Sequence, residues 1–279
     1  HNDDRALTIL PAALSAAGSG AASPCWADVE ADWGAYDLAV IRSTWDYSWR
    51  AAEFLAWAHK CAALTRLANP VEVVRWNTDK RYLGELAAAG VPVVPTRYLA
   101  PGDSAAADLP DTGEYVLKPT SGAGARYAAR YRADEREAAV RHLARMHDEG
   151  LTAMVQPYMR GIDASGERAL QFFGGRLLHA SRKRAVLAPG AAFDAAKVAH
   201  PDLEPWTPTP AERTVAEQAL AAVPDAPDLL YARVDLVDGE DGRPAVMELE
   251  LVEPNLFLFL HPGSLGVVRD VILAQARRP

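Results

Sequence analysis

The sequence predicts a mixed α/β fold, with an open sheet near the N-terminus and α+β segments of antiparallel strands towards the C-terminus. An apolar stretch, DLAVI at 37–41, runs into a polar loop and is followed by a helical segment at 49–63, the order found in doubly wound units. Further along, the strand patterns LLYARVDLV and PAVMELELV are joined by the turn-rich DGEDGRP. That arrangement predicts a β-hairpin.

The remaining elements are predicted in order from their own patterns. Residues 4–18 form an amphipathic helix that stops at Gly18, and a later helix has Thr78 as its N-cap and stops at Gly90. The other predicted helices lie near 134–149, 211–222 and 264–278. The other predicted strands are VPVVPTRYL, EYVLKPT, AMVQPYM, and the paired segments GERALQFF and GRLLHASRKRAVL.

Composition indicates a globular protein whose partner is a small molecule. The 279 residues are 49% hydrophobic, which is enough for a sizeable core. The formal net charge of −8 argues against a nucleic-acid partner, because phosphate backbones are bound by basic surfaces. Only Cys25 and Cys61 occur, without zinc-binding spacing, so a reducing cytoplasm is expected. There is no run of 18 apolar residues, so no membrane partner is expected.

The stretch LKPTSGAGARY, residues 117–127, places a cation beside a flexible loop. Lys118 ends a strand, and Ser121, Gly122 and Gly124 follow it. Backbone amides of such a loop together with one cation suit polyphosphate oxygens. The spacing matches neither a P-loop nor a complete dinucleotide fingerprint, and a glycine-rich turn also occurs without a ligand, so both interpretations stay open at this point.

Carboxylates crowd the predicted hairpin near the C-terminus. Arg233 and Asp235 share one face of the first strand, and Glu248 and Glu250 share one face of the second. Three carboxylates beside one arginine are costly in an apolar core but natural at a magnesium site, where hard oxygen ligands are preferred. The alternative is a hairpin whose charges face solvent.

Two further polar stretches are candidates for substrate contact. In RSTWDY, Arg42 and Asp46 suit the two charges of a zwitterionic ligand, and Ser43 and Thr44 lie between them, although Trp45 and Tyr47 are also natural packing residues.

In SRKR, alternation sends Arg182 and Arg184 to one strand face and Lys183 to the other, so only one set can serve a site; we expect the arginines to contact the substrate. His142 and His147 are five residues apart, the wrong spacing for a shared metal, and both are expected at the surface.

Taken in order, these pieces resemble the ATP-grasp superfamily of carboxylate ligases. The resemblance covers nearly the whole chain and rests on RSTWDY, NPVEVVRWNTDKRYLGELAAAGVPVVPT, YVLKPTSGAGARY, MVQPYMRGIDASGERAL, HASRKR, YARVDLV and MELELVEPNLFL. It implies an ATP-grasp fold with a Rossmann-like open-sheet domain, a small lid subdomain and an antiparallel-sheet domain. The corresponding expected boundaries are 1–75, 76–155 and 156–279.

The resemblance also implies residue roles. Lys80 and Lys118 look like the two lysines that contact the nucleotide, and the loop 120–126 looks like the flap over the phosphates. The segment Gln156, Pro157, Tyr158 and Met159 would be the adenine hinge, although many relatives carry Glu where Gln156 stands, and Asp163 would bind ribose. Arg233 would hold the transferred phosphoryl group.

Magnesium, expected as two ions, would be held by Asp235, Glu248, Glu250 and Glu253. The superfamily's usual ending is Glu-x-Asn, and two registers compete for it. Glu248-Leu249-Glu250 fits the strand position with Glu in place of Asn, whereas Glu253-Pro254-Asn255 fits the letters. We favour the first register because alternation keeps its two carboxylates on one face and Pro254 ends the strand.

The activity implied is ATP-dependent formation of an acyl phosphate on an amino-acid-like carboxylate, followed by attack of a nitrogen nucleophile. The motifs look most like the branch that contains the cyclo-ligase of D-cycloserine biosynthesis, which closes O-ureido-D-serine into a ring. An intermolecular dipeptide-type ligase, a small-molecule kinase using the same nucleotide site, and a catalytically silent nucleotide-binding module are the alternatives. A homo-oligomer is also left open.

Overall fold

The computed structural model describes residues 6–103, 109–194, 202–225 and 227–278. The described strands form three sheets, of two, four and five strands. Among the described residues, no helix has both the length and the apolar character needed to cross a membrane.

The N-terminal part is a small open sheet flanked by helices. Its elements are α1 (Ala6–Ala16), β1 (Leu38–Val40), α2 (Ala51–Leu64), β2 (Arg66–Ala68), α3 (Val71–Asn77) and α4 (Tyr82–Ala88). Strands β1 and β2 pair in parallel, with Ala39 opposite Leu67. The predicted residues 4 and 5 of the first helix lie outside the described residues.

The expected N-cap at Thr78 is wrong. Thr78 instead follows the end of α3, where its amide donates to the Val74 carbonyl at 3.1 Å and its hydroxyl donates to the Arg75 carbonyl at 2.9 Å. The chain therefore forms two short helices where one was expected, and α4 has no side-chain cap. The stop at Gly90 is confirmed, because that residue has φ +84°, a conformation glycine adopts without strain.

The second sheet has the strand order β3-β6-β4-β5 and is antiparallel throughout. Its elements are β3 (Arg97–Leu99), β4 (Glu114–Pro119), β5 (Ala129–Arg132), α5 (Arg136–Asp148) and β6 (Ala153–Pro157). His142 of α5 is fully buried against this sheet, so its expected surface position is wrong. Its ring stacks on Phe193 with centroids 4.2 Å apart, and Nδ1 lies 3.0 Å from the Tyr131 hydroxyl.

The third sheet has the order β11-β10-β7-β8-β9, also antiparallel. Its elements, with their helices, are α6 (Gly161–Ser165), β7 (Glu167–Phe173), β8 (Arg176–Lys183), β9 (Leu203–Trp206), α7 (Pro210–Ala221), β10 (Tyr231–Asp238), β11 (Pro244–Glu250) and α8 (Leu265–Ala276). The predicted hairpin of β10 and β11 is confirmed. The largest hydrophobic cluster lies under this sheet and includes Val215, Ala219, Val234 and Leu249.

The free edge of β11 is completed by side chains from the preceding helices. Asn77 donates to the Leu249 carbonyl at 2.8 Å and accepts from the Leu251 amide at 2.7 Å. The Leu249 amide donates to the Tyr82 hydroxyl at 2.9 Å. An edge strand without a partner strand would leave these backbone groups unsatisfied, so the helices fix the position of β11.

Candidate active site

A cleft of about 210 Å³ lies between the second and third sheets. Its floor comes from the cleft-facing side chains of β10 and β11, and its opposite wall comes from β4, β6 and the loop after β4. Trp45 and Tyr47 close it on the side of the N-terminal part. The predicted residues that line it are Lys80, Lys118, Gly122, Gly124, Gln156, Pro157, Tyr158, Met159, Arg184, Arg233, Glu248, Glu250 and Glu253.

Three carboxylates converge on the cleft floor. Strand pairing places Arg233 opposite Glu250 and Asp235 opposite Glu248. Oxygen atoms of Asp235, Glu248 and Glu250 lie within 4.8 Å of one another, a spacing that could hold a metal ion. The geometry expected from alternation in the two strands is confirmed, although a β-bulge follows Asp235.

Cations neutralise part of this charge. The Arg233 Nε lies 2.8 Å from Asp235 Oδ1, and its Nη2 also contacts Glu250. Lys183 Nζ lies 2.7 Å from Asp235 Oδ2, and Lys80 Nζ lies 3.2 Å from Glu248 Oε1. The crowding of like charges on this hairpin is therefore offset by side chains from three different elements.

The pKa shifts show that this balance is incomplete. Burial raises the pKa of Glu250, and although Arg233 lowers it, Glu248 and Asp235 raise it further, so the net shift is upwards. Burial also raises the pKa of Asp235, but Arg233 and Lys183 outweigh it and hold that pKa well below its usual range. A bound cation would favour the charged form of Glu250. The donor set is entirely carboxylate oxygen, which fits Mg²⁺.

The wall opposite the carboxylates fits a phosphate chain. Burial and the proximity of Lys80 lower the pKa of Lys118, which an anion between the two lysines would reverse. Lys80 Nζ donates to the Gly122 carbonyl at 2.6 Å, and Gly124 has φ +63°, a conformation that favours glycine. Within the described residues, the buried Ser121 hydroxyl has no hydrogen-bond partner, but Ser121 is not among the residues that line the cleft.

The predicted hinge lies at the outer end of the cleft. Gln156 is buried, and its amide donates to the Thr96 hydroxyl at 2.9 Å. The Tyr158 hydroxyl donates to Asp163 at 2.5 Å, and the Arg130 guanidinium lies 3.4 Å from the centre of the Tyr158 ring. Asp163 is about half exposed, at 49% of its side-chain surface, so it lies at the margin of the cleft.

The N-terminal loop contributes Arg42, whose Nη1 donates to the Pro254 carbonyl at 2.5 Å, beside the cleft. Thr44 has a buried hydroxyl without a partner in the described part of the chain, and Ser43 has φ +55°. Asp46 differs from its expected role, because both its oxygens accept from the Trp26 indole, at 3.0 and 3.2 Å. That carboxylate is used in packing the N-terminal part and does not line the cleft.

The expectation for Arg182 is corrected by the structure. Its guanidinium pairs with Glu204 and lies 5.2 Å from the centre of the Trp206 ring, on the face of β8 that faces away from the cleft. Alternation was predicted correctly, but the face that covers the site is the one that carries Lys183. Arg184 lies just beyond the strand end and still lines the cleft.

Glu253 is also separated from its expected group. The three-carboxylate group does not include it, because β11 ends at Glu250 and the chain then leaves the strand geometry. The side chain nevertheless lines the cleft and is only 5% exposed.

Two charged residues of the site were not predicted. Glu167 of β7 and Lys183 of β8 form an ion pair, and Lys183 bridges Glu167 to Asp235. The sequence does carry one signal for Lys183, since it is one of only five lysines in a chain whose usual cation is arginine. For Glu167 we find no signal, because an acidic residue at the start of a strand is common.

Comparison with solved structures defines the class of protein. The ATP-grasp ligase PsnB in complex with its minimal precursor, Mg and ADP superposes with a TM-score of 0.64 at 18% identity, over 99% of this chain and 95% of that one. D-alanine–D-alanine ligase from Bacillus anthracis, complexed with ATP, gives 0.59 at 18% identity, over 86% and 79%. This chain therefore has the ATP-grasp fold that its motifs predicted.

Closer relatives define the family. The crystal structure of D-cycloserine synthetase DcsG superposes with a TM-score of 0.89 at 36% identity, over 98% of this chain and 95% of that one. The cycloserine biosynthesis protein DcsG of Streptomyces lavendulae is 41% identical over 274 residues, 91% of this chain and 88% of that protein. Residues 1–69 match the family described as D-cycloserine synthetase DcsG, N-terminal domain. The chain belongs to the DcsG family and is an ATP-dependent ligase.

Proposed function

We propose that this enzyme uses ATP and Mg²⁺ to activate the carboxylate of an amino-acid-like substrate and closes that substrate into a ring, with O-ureido-D-serine as substrate and D-cycloserine as product. The aminooxy nitrogen would displace phosphate from the acyl phosphate to form the ring N–C bond, and water would remove the carbamoyl group from that nitrogen as carbamate, which breaks down to ammonia and CO₂. The observation that carries the proposal is the group of Asp235, Glu248 and Glu250, which is in contact with Arg233 of the same hairpin and with Lys80. The 41% identity to the cycloserine biosynthesis protein DcsG supports the choice of substrate.

The cleft residues divide into nucleotide and substrate ends. Lys80, Lys118 and the flap of residues 120–126, with Ser121, would contact the phosphates, and the hinge 156–159 would contact adenine. Asp163, which accepts from Tyr158 at the margin, would contact ribose. With these hydrogen-bond donors already in place around the phosphate chain, the protein would neutralise the phosphate charge without having to rearrange during phosphoryl transfer.

The three carboxylates would hold magnesium as two ions, which would supply neutralisation of phosphate charge. Arg233 lies beside them, buried and fixed by Asp235, so its guanidinium is preorganised for the transferred phosphoryl group. Lys183 contacts both Glu167 and Asp235, so its ammonium would neutralise part of the negative charge of the three-carboxylate group.

Water must be kept from the acyl phosphate, since hydrolysis competes with ring closure. The flap and the N-terminal part meet over the cleft, where the Arg126 guanidinium lies 5.4 Å from the centre of the Trp49 ring. Arg42 and Thr44 of that part would face the substrate, and Arg184 would contribute from β8.

We propose the division 1–75, 76–155 and 156–279 for the three parts of the chain. Helix α3 and strand β6 run across the two proposed boundaries, which lie inside those elements. The boundaries would therefore move by a few residues if cut sites were chosen between elements. The cleft draws residues from all three parts, so no single part would be active alone.

The test is a coupled assay of ADP and phosphate release with Mg²⁺ and a panel of amino-acid-like carboxylates that includes O-ureido-D-serine. Ring closure predicts ADP and free phosphate in equal amounts with O-ureido-D-serine as the single organic substrate. A requirement for a second amino acid would favour the dipeptide ligase. ADP with a stable phosphorylated product, without free phosphate, would favour the kinase.

The matched variants are Glu248→Gln and Glu85→Gln. Glu248 is in the carboxylate group, and removing its charge should lower turnover by about 100-fold or more. Glu85 is exposed on α4 and accepts from the Trp76 indole, a bond that glutamine also accepts, so its variant should keep full activity. Near-normal turnover of the Glu248 variant would reject the metal assignment.

A further inference from the structure

Glu253 is a buried carboxylate whose charge nothing in the described chain pairs directly. It is 5% exposed and lines the cleft. Within the described residues, no donor lies at hydrogen-bond distance from its oxygens and no cation lies at ion-pair distance, unlike each of the three metal-group carboxylates. Burial and the nearby Glu250 raise the pKa of Glu253 well above its usual range, so the neutral carboxyl is favoured without a ligand. A cationic group of a ligand that lines the same cleft would favour the charged form and supply the partner that the described chain does not.

The neighbouring cations are engaged elsewhere. Arg42 donates to the Pro254 carbonyl, Arg233 is bound by Asp235 and Glu250, and Lys80 contacts Glu248 and the Gly122 carbonyl. Each of them influences Glu253 only at longer range. The missing partner of Glu253 must therefore be a cation or a donor that arrives with the ligand.

Position distinguishes this partner from the magnesium and from the nucleotide. Glu253 is three residues beyond Glu250, the carboxylate that contacts Arg233, and it lies on the side of the cleft shared with Tyr47 of the N-terminal part. The adenine hinge and the flap are on the opposite wall. Glu253 thus lies where the organic substrate would extend away from the phosphoryl group.

Resting on the proposed function, we propose that Glu253 binds the α-ammonium group of an amino-acid substrate. In an α-amino acid the nitrogen is about 2.5 Å from the carboxyl carbon, as the N–Cα and Cα–C bond lengths require. A group that binds the ammonium must therefore lie beside the carboxylate that is being activated, and Glu253 lines the same cleft as Arg233, the residue proposed to hold the transferred phosphoryl group. An ammonium carries three donors and a positive charge, which match a buried acceptor-only carboxylate.

The test compares wild type and Glu253→Gln on two ligands, an α-amino carboxylate that is turned over and its deamino analogue with hydrogen in place of the ammonium. Wild type should favour the amino compound by about 10- to 100-fold in kcat/KM, the range for one charge-assisted hydrogen bond. The variant should lose most of this preference. Its KM for ATP and its Mg²⁺ requirement should stay within about twofold of wild type, since glutamine keeps the shape of the side chain.

Two results would overturn the proposal. One is a wild type that uses the deamino analogue as well as the amino compound. The other is a variant that keeps the preference while its Mg²⁺ requirement rises, which would return Glu253 to the metal group. Glu85→Gln is the matched control, because Glu85 is exposed and lies outside the cleft. Its preference for the amino compound and its Mg²⁺ requirement should both match wild type.

Separate measurements distinguish folding failure and failure of the proposed ligation. Thermal unfolding should show Glu253→Gln at least as stable as wild type, since glutamine replaces a carboxyl whose ionisation is disfavoured by burial and by Glu250. Glu253→Asp, which keeps the charge on a shorter side chain, should keep part of the preference. If no carboxylate supports ADP release, the proposed ligase function is wrong. Calorimetric binding of the amino compound and its deamino analogue to wild type with MgADP then still decides whether the ammonium group is recognised.

Discussion

Replacing Asn77 with alanine tests whether helix α3 positions the carboxylates of the proposed metal site. Asn77 is 6% exposed, and its amide makes two hydrogen bonds to the free edge of β11, at Leu249 and Leu251. Leu249 is the residue between Glu248 and Glu250. The amide therefore fixes the strand at the position from which both carboxylates project.

The magnitude follows from the groups left without partners. Alanine leaves the Leu249 carbonyl and the Leu251 amide buried and unsatisfied, and each such group costs about 1–3 kcal/mol, so Asn77→Ala should lower the free energy of unfolding by about 2–6 kcal/mol. Tyr82→Phe removes one bond to the Leu249 amide and should cost about 1–3 kcal/mol.

Two assays separate positioning from general destabilisation. Urea unfolding measures stability, and the Mg²⁺ dependence of ADP release measures the metal group. We expect the Mg²⁺ concentration for half-maximal activity to rise in Asn77→Ala, with a smaller change in KM for ATP. The control is Tyr131→Phe, which removes another buried hydroxyl, 3.0 Å from His142 in the lid, and should leave the Mg²⁺ dependence unchanged. Equal Mg²⁺ dependence in Asn77→Ala and wild type would refute the positioning argument.

Two other predictions concern stability away from the cleft. Glu212→Ala should lower the free energy of unfolding in urea by about 3–5 kcal/mol, because it removes a carboxylate 2.7 Å from the buried Arg168. Glu217→Ala on the same helix removes only an exposed ion pair and should lower it by less than about 1 kcal/mol. Equal losses of stability in the two variants would refute this prediction. Burial lowers the pKa of His142 from 6.5 to about 4, so the unfolded chain binds its proton first as pH falls. Stability should therefore fall between pH 6.5 and 4, by about 3 kcal/mol for this group, and His142→Phe should show a shallower pH dependence.

The parts of the site that were predictable are those set by local geometry. Alternation alone places Glu248 and Glu250 on one face, and the short turn between two strands brings them opposite Arg233 and Asp235. The doubly wound order of strand and helix at 37–63 was also predicted, but strand β2, which pairs in parallel with β1, was not. In each case the answer depends on a few consecutive residues and one connection.

The parts that were missed depend on packing between distant elements. Alternation separates Lys183 from Arg182 but does not say which face of β8 the lid covers, and the structure turns Lys183 towards Asp235. His142 lies on a helix whose other faces are strongly polar, and its burial is set by Phe193, a residue 51 positions further along the sequence. Thr78 has a side chain suited to an N-cap, yet it directly follows the end of α3. The next helix, α4, begins four residues later, at Tyr82, so Thr78 does not cap it.

The two competing Glu-x-Asn registers near the C-terminus have different physical roles. In Glu248-Leu249-Glu250 the strand continues, so both carboxylates point to the cleft and Leu249 packs in the core. In the second register, the Asn255 side-chain oxygen accepts from the Phe257 amide at 2.9 Å.

Asn255 is thus committed to its own loop, and its carbonyl accepts from Arg233 at 3.4 Å. The second register therefore builds the loop beside Arg233 and leaves its glutamate, Glu253, facing the cleft without a partner from the described chain. A match of letters and a match of strand geometry select different residues here. We favour the strand geometry, because only residues two apart on a continuing strand keep their side chains on one face. Asn255→Asp should therefore alter the loop and leave the Mg²⁺ dependence of ADP release close to that of wild type.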